Sequence, residues 1–160
     1  MSSKFGNQDL VTKINQSFEQ ISRRLFARSL NYCADFKLFL CDQMAGESLD
    51  AVVHSALGPQ ARVGGSTFTT KQEVLESLTS ALHYDGDYGA HPNLDYVQSA
   101  NGQHDFDSVV SDVIKLVDQG DLLISFWLKN GHPFYPVYWD FAFLIETSED
   151  SILFIASSSD

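Results

Sequence analysis

The sequence predicts an α+β fold in which N-terminal helices pack on one face of a C-terminal antiparallel sheet of three to four strands, arranged as a meander. Apolar residues recur at helical spacing through residues 8–119 and then alternate with a period of two over about residues 121–157. The length of 160 residues suits a single globular domain that spans the whole chain.

The first predicted helix begins near Asp9. Its apolar residues are separated by four, four, three and four positions, which places them on one helix face: Leu10, Ile14, Phe18, Ile21 and Leu25. Charged and polar residues occupy the opposite face, where Glu19 precedes Arg23 at the favourable i,i+4 separation. The pattern therefore indicates an amphipathic helix with one side to bury.

Residues 35–43 fit either a strand or a helix. Phe36, Leu38 and Leu40 alternate as in a strand, whereas Phe36, Leu40 and Met44 recur as in a helix. The segment is too short for its periodicity to choose between the two, so a fourth strand is left open.

Two helices are predicted in the middle of the chain, with a loop between them. Residues 47–58 form the first, which Gly58 ends, and residues 59–67 are predicted as a loop because they are rich in Gly and Pro. The second helix opens with a capping box of Thr70 and Glu73. Its predicted buried residues are Val74, Leu78, Ala81 and Leu82.

Residues 84–105 are predicted as a long loop, because they lack periodicity and are rich in Gly, Asp and Asn. A loop of this length in a compact domain is usually functional or mobile. The helix after it has Asp105 or Asp107 as its expected N-cap, and Gly120 closes it. Its expected apolar face consists of Val110, Val113, Ile114 and Val117.

The last forty residues predict an antiparallel meander. Apolar residues alternate over 122–128 and over 137–146, and the apolar run 152–156 supplies a third strand. Between the first two strands, Asn130-Gly131 is the strongest local signal for a tight hairpin. The helices are expected to cover only one face of this sheet.

The other face of strand 137–146 is expected to be exposed, partly apolar and available to a partner. The residues predicted to bind the partner lie on this face and in loop 84–105: Tyr138, Asp140, Leu144, Glu146, Asp85, Asp87 and Tyr88. The competing interpretation of Asp140 is a structural carboxylate paired with Lys129, an arginine or a backbone N–H.

Charge is distributed unevenly along the chain, whose formal net charge is −11. Residues 1–71 hold eight Lys/Arg and six Asp/Glu, whereas residues 72–160 hold two Lys/Arg and fifteen Asp/Glu, a balance of −13. So acidic a surface repels phosphates and disfavours nucleic acid, but it attracts a basic protein.

No targeting segment, membrane span, cofactor motif or metal motif is predicted. The start of the chain lacks the apolar run of a signal peptide, so a cytoplasmic protein is expected, with Cys33 and Cys41 as reduced thiols. Residues 85–96 fail the calcium-loop pattern at Gly89 and Tyr96, and no HExxH spacing occurs for zinc.

The sequence therefore favours a non-catalytic, acidic protein-binding module, such as an inhibitor or an immunity or antitoxin protein that occludes a basic partner. The alternative is a small-ligand-binding protein or a hydrolase-type enzyme. Its pocket would lie between loop 84–105 and the sheet and would use His91, His104 and Asp140. A structural subunit of a homo-oligomer is a third possibility.

Overall fold

The computed structural model describes residues 4–42 and 48–160. In these ranges the helices are α1 (Lys4–Phe26), α2 (Leu49–Leu57), α3 (Lys71–Leu82), α4 (Leu94–Gln98) and α5 (Ala100–Val117). The strands are β1 (Cys33–Asp42), β2 (Arg62–Phe68), β3 (Leu122–Asn130), β4 (Asp140–Glu146) and β5 (Asp150–Ser159).

The strands form one antiparallel sheet in the order β1-β5-β4-β3-β2. The predicted α+β class and the meander of β3, β4 and β5 are confirmed. The sheet has five strands rather than three to four, because β1 adds to β5 at one edge and β2 adds to β3 at the other.

The ambiguous segment after α1 is a strand. β1 pairs with β5 over ten residues, from Cys33 opposite Ser159 to Asp42 opposite Asp150. Leu38 lies in the core beneath α1, whereas Phe39 packs against the core on the opposite face. Alternate residues thus meet two apolar environments, which a strand allows and a helix does not. Met44 and Glu47, which entered the predictions for this region, lie outside the described residues.

Helices cover both faces of the sheet, so the expectation that they cover only one is wrong. The larger core joins one face to α1, α3, α4 and α5, and a smaller core joins the other face to α2. The central strand β5 serves both cores: Phe154 points to the first, Leu153 and Ile155 point to the second, and all three are fully buried. Each such side chain stabilises the fold by about 1.5–3 kcal/mol.

The amphipathic patterns of α1 and α3 are confirmed. In α1, Ile14, Phe18, Ile21 and Leu25 are at most 2% exposed. In α3, the Thr70 hydroxyl accepts the Glu73 backbone N–H at 3.2 Å, and all four predicted stripe residues are buried. Such a cap stabilises a helix by about 1 kcal/mol.

Two segments predicted as loops contain regular structure. Residues 62–68, most of which fall in the predicted loop 59–67, form β2. The predicted loop 84–105 contains α4 and the first turn of α5, so Ser99 is the N-cap in place of Asp105 or Asp107. Gly102, which contributed to the loop prediction, lies in that first turn, where a Cβ would overlap the Tyr96 carbonyl oxygen.

The predicted hairpin at Asn130-Gly131 is wrong. Asn130 is the last residue of β3 and pairs with Arg62 of β2, while β4 begins only at Asp140. Gly131 has a φ of +78°, and a Cβ on it would lie 2.5 Å from the Ala61 Cα. Its glycine is therefore required by a close backbone approach rather than by a two-residue turn.

Candidate binding groove

A groove of about 840 Å³ lies between α3 and one face of β2, β3 and β4. Its α3 wall is polar and includes Glu73, Glu76, Ser77 and Ser80. Its floor is the sheet face that carries Ser125, Trp127, Phe141 and Phe143. The larger core continues on this side of the sheet at Phe143, so the groove is an uncovered margin of the helix-covered face.

The groove opens where the sheet divides. The β3–β4 ladder ends at the pair Ser125–Phe143, although both strands continue. Beyond that pair, residues 126–130 of β3 follow β2, and Asp140–Ala142 of β4 follow β5. Residues 131–139 connect the two diverging strands. The two strands therefore leave a gap between them, which we call the sheet split. Residues 126–130 of β3 line one side of it, and residues 140–142 of β4 line the other.

The indole of Trp127 lies over the backbone of two glycines. Gly65 is the register partner of Trp127, and a Cβ on it would lie 2.7 Å from the indole Nε1. A Cβ on Gly64 would overlap the six-membered part of the ring. The two glycines, which led to the loop prediction for residues 59–67, thus leave space for the indole of Trp127. That residue is 56% exposed.

Stacked aromatic rings form the end of the groove near Tyr84 and Trp139. The Tyr84 and Tyr32 rings stack with centroids 5.6 Å apart, and the Trp139 indole N–H donates to the Tyr32 hydroxyl at 3.0 Å. Burial, opposed by this hydrogen bond, raises the pKa of Tyr32 to about 12. These contacts fix the position of Trp139, and both tryptophans of the chain line the groove.

Three carboxylates line the groove without a Lys or Arg partner among the described residues. Glu73 and Glu76 belong to α3, and Asp140 begins β4. Glu76 accepts from the Gln72 amide at 2.9 Å and Glu73 accepts from the Thr69 hydroxyl. The ion pairs in the described ranges use other carboxylates: Asp105, Asp112 and Asp118. The groove is therefore negatively charged and aromatic.

The structure separates the four residues predicted on strand 137–146. Asp140 is exposed and lines the groove, and Tyr138 lies next to it, with its ring 6.3 Å from that of Tyr84. Leu144 is 2% exposed in the smaller core, so the expectation that it faces a partner is wrong. Glu146 lies at the far end of β4, opposite Leu122.

The three residues predicted in the loop remain at the surface, away from the groove floor. Tyr88 is fully exposed, and Asp85 is exposed beside it. The Asp87 carboxylate accepts the backbone N–H groups of Gly89 and Ala90 at 2.8 and 3.1 Å, so it shapes the local turn. Only Tyr84, the first residue of this loop, reaches the groove.

The histidines of the alternative pocket do not come together with Asp140. His91 hydrogen-bonds to the Pro92 carbonyl through Nδ1, and His104 lies on an exposed face of α5. Neither lines the groove. Within residues 4–42 and 48–160, no group of three or more His, Cys, Asp or Glu side chains is arranged to hold a metal ion.

Glu76, Ser77, Ser80 and Trp127 line the groove but were given no site role from the sequence, although the sequence carries a signal for them. Glu73, Glu76, Ser77 and Ser80 recur at i, i+3, i+4 and i+7, which defines a second, polar stripe on α3. Trp127 follows Ser125 at a separation of two, so the two side chains share one face of β3. What the sequence lacks is the position of that stripe opposite that strand.

Comparison of the chain with known protein families, curated proteins and solved structures finds no significant match. In the described ranges, no helix is long and apolar enough to cross a membrane.

Proposed function

We propose that this protein is a non-catalytic, acidic protein-binding module that holds a basic segment of another protein in the groove. An inhibitor, immunity protein or antitoxin that occludes its basic partner is the form of this function that we favour. One observation carries the proposal: three carboxylates with no Lys or Arg partner among the described residues share a groove with two tryptophans.

A lysine or arginine side chain would satisfy both features of the groove. A cation about 4 Å from a carboxylate gains about 4 kcal/mol at the effective dielectric of a protein surface, before its desolvation is subtracted. Stacking of the cation on Trp127 adds about 0.5–2 kcal/mol. The hydroxyl groups of Ser77, Ser80 and Ser125 can accept the remaining N–H groups. The three carboxylates would repel a negatively charged ligand.

The charge of the whole chain favours the same partner. The balance of −13 over residues 72–160 produces a field that accelerates the approach of a basic protein. Asp85 and Asp87 lie at the surface and can contribute to this field, so their predicted role in partner binding is retained as electrostatic attraction.

Intrinsic fluorescence tests the proposal directly, because both tryptophans of the chain line the groove. The probe is a peptide of about eight residues, close to the length of an ordinary strand, in which Lys and Thr alternate. The reference peptide carries Gln in place of Lys. We expect the Lys peptide to change the emission and the Gln peptide to have little effect.

A matched pair of variants separates the groove from the overall charge. Replacement of the groove carboxylates, Glu73→Gln, Glu76→Gln and Asp140→Asn, is expected to weaken binding about 10- to 100-fold, since each pair is worth about 1 kcal/mol or less when exposed. The control variant removes the same charge from exposed positions outside the groove: Asp95→Asn, Asp107→Asn and Asp121→Asn. It is expected to lose only a fewfold.

The salt dependence of peptide binding tests whether binding is electrostatic. Raising sodium chloride from about 0.01 to 1 M shortens the Debye length from about 30 to 3 Å and is expected to weaken binding of the Lys peptide. Equal losses in the two variants would show that the groove is not the site. Binding of the Lys and Gln peptides that is equal and independent of salt would identify a neutral ligand and reject the proposal.

A further inference from the structure

The sheet split directs backbone hydrogen-bonding groups of β3 toward the groove. Successive residues of a central antiparallel strand point their N–H and C=O groups to opposite neighbours. The Thr69 N–H donates to the Leu123 carbonyl at 3.1 Å. The backbone N–H and C=O groups of Leu123, and of every second residue after it, therefore point toward β2. The backbone N–H and C=O groups of Phe126 and Leu128 therefore point away from β2, into the gap where β4 no longer pairs with β3.

The opposite side of the split has the same property. The Ser158 N–H donates to the Trp139 carbonyl at 3.0 Å, which sets the alternation along the start of β4. Asp140 and Ala142 consequently point their backbone groups away from β5, toward the split. Both strand edges at the split thus present N–H and C=O groups that pair with no strand among the described residues.

We propose that the basic segment binds as an added β-strand in the split, with its backbone paired to the β3 edge at Phe126 and Leu128. This inference rests on the function proposed above and specifies how the partner is held. An extended strand projects alternate side chains to one face. Its Lys or Arg residues would face the groove, toward Trp127 and the carboxylates.

The opposite face of the split limits the other residues of that segment. Phe126 and Ala142 are 5% and 6% exposed in the smaller core, so little space remains on that side. The intervening residues of the bound segment must therefore be small. The expected recognition sequence alternates basic and small residues, a pattern that follows from the geometry of the split and from the charge of the groove.

Amide hydrogen exchange and peptide N-methylation test this inference on the intact protein. We expect the alternating Lys/Thr peptide to slow exchange of the Phe126 and Leu128 amides. Two N-methylated forms of the peptide, one methylated at the Lys and one at the Thr residues, remove opposite sets of N–H donors. One of the two forms is expected to bind at least about tenfold more weakly than the other, because only one set faces β3.

The outcomes distinguish the binding mode from the proposed function. Fluorescence binding that is unchanged by either methylation, with no slowing at these amides, would overturn strand addition and leave the groove as a site for basic side chains alone. Slowing at Ser66 and Phe68, which face outward on β2 by the same alternation, would place the strand on the outer edge and would also overturn it.

Two further results concern the occupant. Absence of any response to the Lys peptide, together with slowed exchange by the Gln peptide, would reject the proposed function and retain strand addition for a neutral segment. Slow exchange of the same amides without peptide, in a protein that sediments as a dimer, would make a second copy of this chain the occupant and overturn the assignment to a basic partner.

Discussion

The side chain of Asn15 in α1 hydrogen-bonds to the unpaired edge of β1, one of the two edge strands of the sheet. Its amide N–H donates to the Leu38 carbonyl at 3.0 Å, and its amide oxygen accepts the Leu38 N–H at 2.8 Å. The Asn15 amide thus makes the two backbone hydrogen bonds that a neighbouring strand would make with Leu38 at the centre of β1. An exposed strand edge promotes aggregation, and this pair of bonds protects it.

The Asn15→Ala substitution is expected to lower the free energy of unfolding by about 1–3 kcal/mol, because it leaves two part-buried backbone groups of Leu38 without their partner. Urea denaturation measures the change. The neighbouring exposed residue provides the control: Gln16→Ala should alter stability by no more than about 0.5 kcal/mol. Equal effects of the two substitutions would contradict the role of Asn15.

His132 reports the charge at the groove through its titration. Burial lowers its pKa from 6.5, while the Phe134 carbonyl and the negative charge of Asp140 act in the opposite direction. Because the pKa of His132 is lower in the folded protein than in the unfolded one, the fold favours the neutral imidazole. The contribution of His132 to the free energy of unfolding is therefore fully present above about pH 6.5 and is lost as the pH falls through the lowered pKa.

We therefore expect Asp140→Asn to lower the pKa of His132 further, since it removes a charge that raises that pKa. A nuclear magnetic resonance titration of the imidazole measures the shift. The control is Asp121→Asn, which removes an exposed charge elsewhere and should leave the His132 titration unchanged. An unchanged pKa in the Asp140 variant would show that the two groups are electrostatically independent.

At the level of elements, β2 illustrates how composition can mislead. Gly64 and Gly65 suggest a loop, but the Trp127 ring needs the space that their missing side chains leave. We expect Gly64→Ala to displace the ring, which would shift the tryptophan emission to longer wavelength and increase quenching by acrylamide. Gly89→Ala is the control, because a Cβ there meets only an ordinary contact of 3.6 Å with Asp87.

The same substitution made together with Trp127→Ala separates ring displacement from a backbone effect. With the ring removed, Gly64→Ala should cost little further stability, so the two changes should be non-additive in urea denaturation. Full additivity would mean that Gly64 is required by its own backbone rather than by the ring.

At the level of the whole molecule, charge repulsion opposes the folded state. With a net charge of −11 and exposed ion pairs worth about 0–1 kcal/mol each, screening should relieve more repulsion than attraction. We expect the melting temperature to rise as sodium chloride increases from about 0.01 to 0.5 M. The Asp95, Asp107 and Asp121 variant, whose charge is −8, should show a smaller rise. A fall with salt would contradict this expectation.

The sequence predicted elements whose signals are local. The stripes of α1 and α3, the capping box at Thr70 and the alternation of the last strands lie within single stretches of chain, and all of them are present in the structure. Local patterns failed where a residue serves a distant neighbour. Gly131 lies against the backbone of Ala61, and Asn130 pairs with Arg62.

The sequence by itself determined the class of the fold, the order of most elements and the acidity of the second half, because periodicity and charge are properties of consecutive residues. Only the tertiary structure decided that β2 pairs with β3, that β4 leaves β3 after Ser125–Phe143, and that α3 stands over the opening. Strand partners and their register depend on residues far apart in the chain. For that reason Asp140 could be singled out from the sequence, whereas its place in one groove with Glu76 and Trp127 could not.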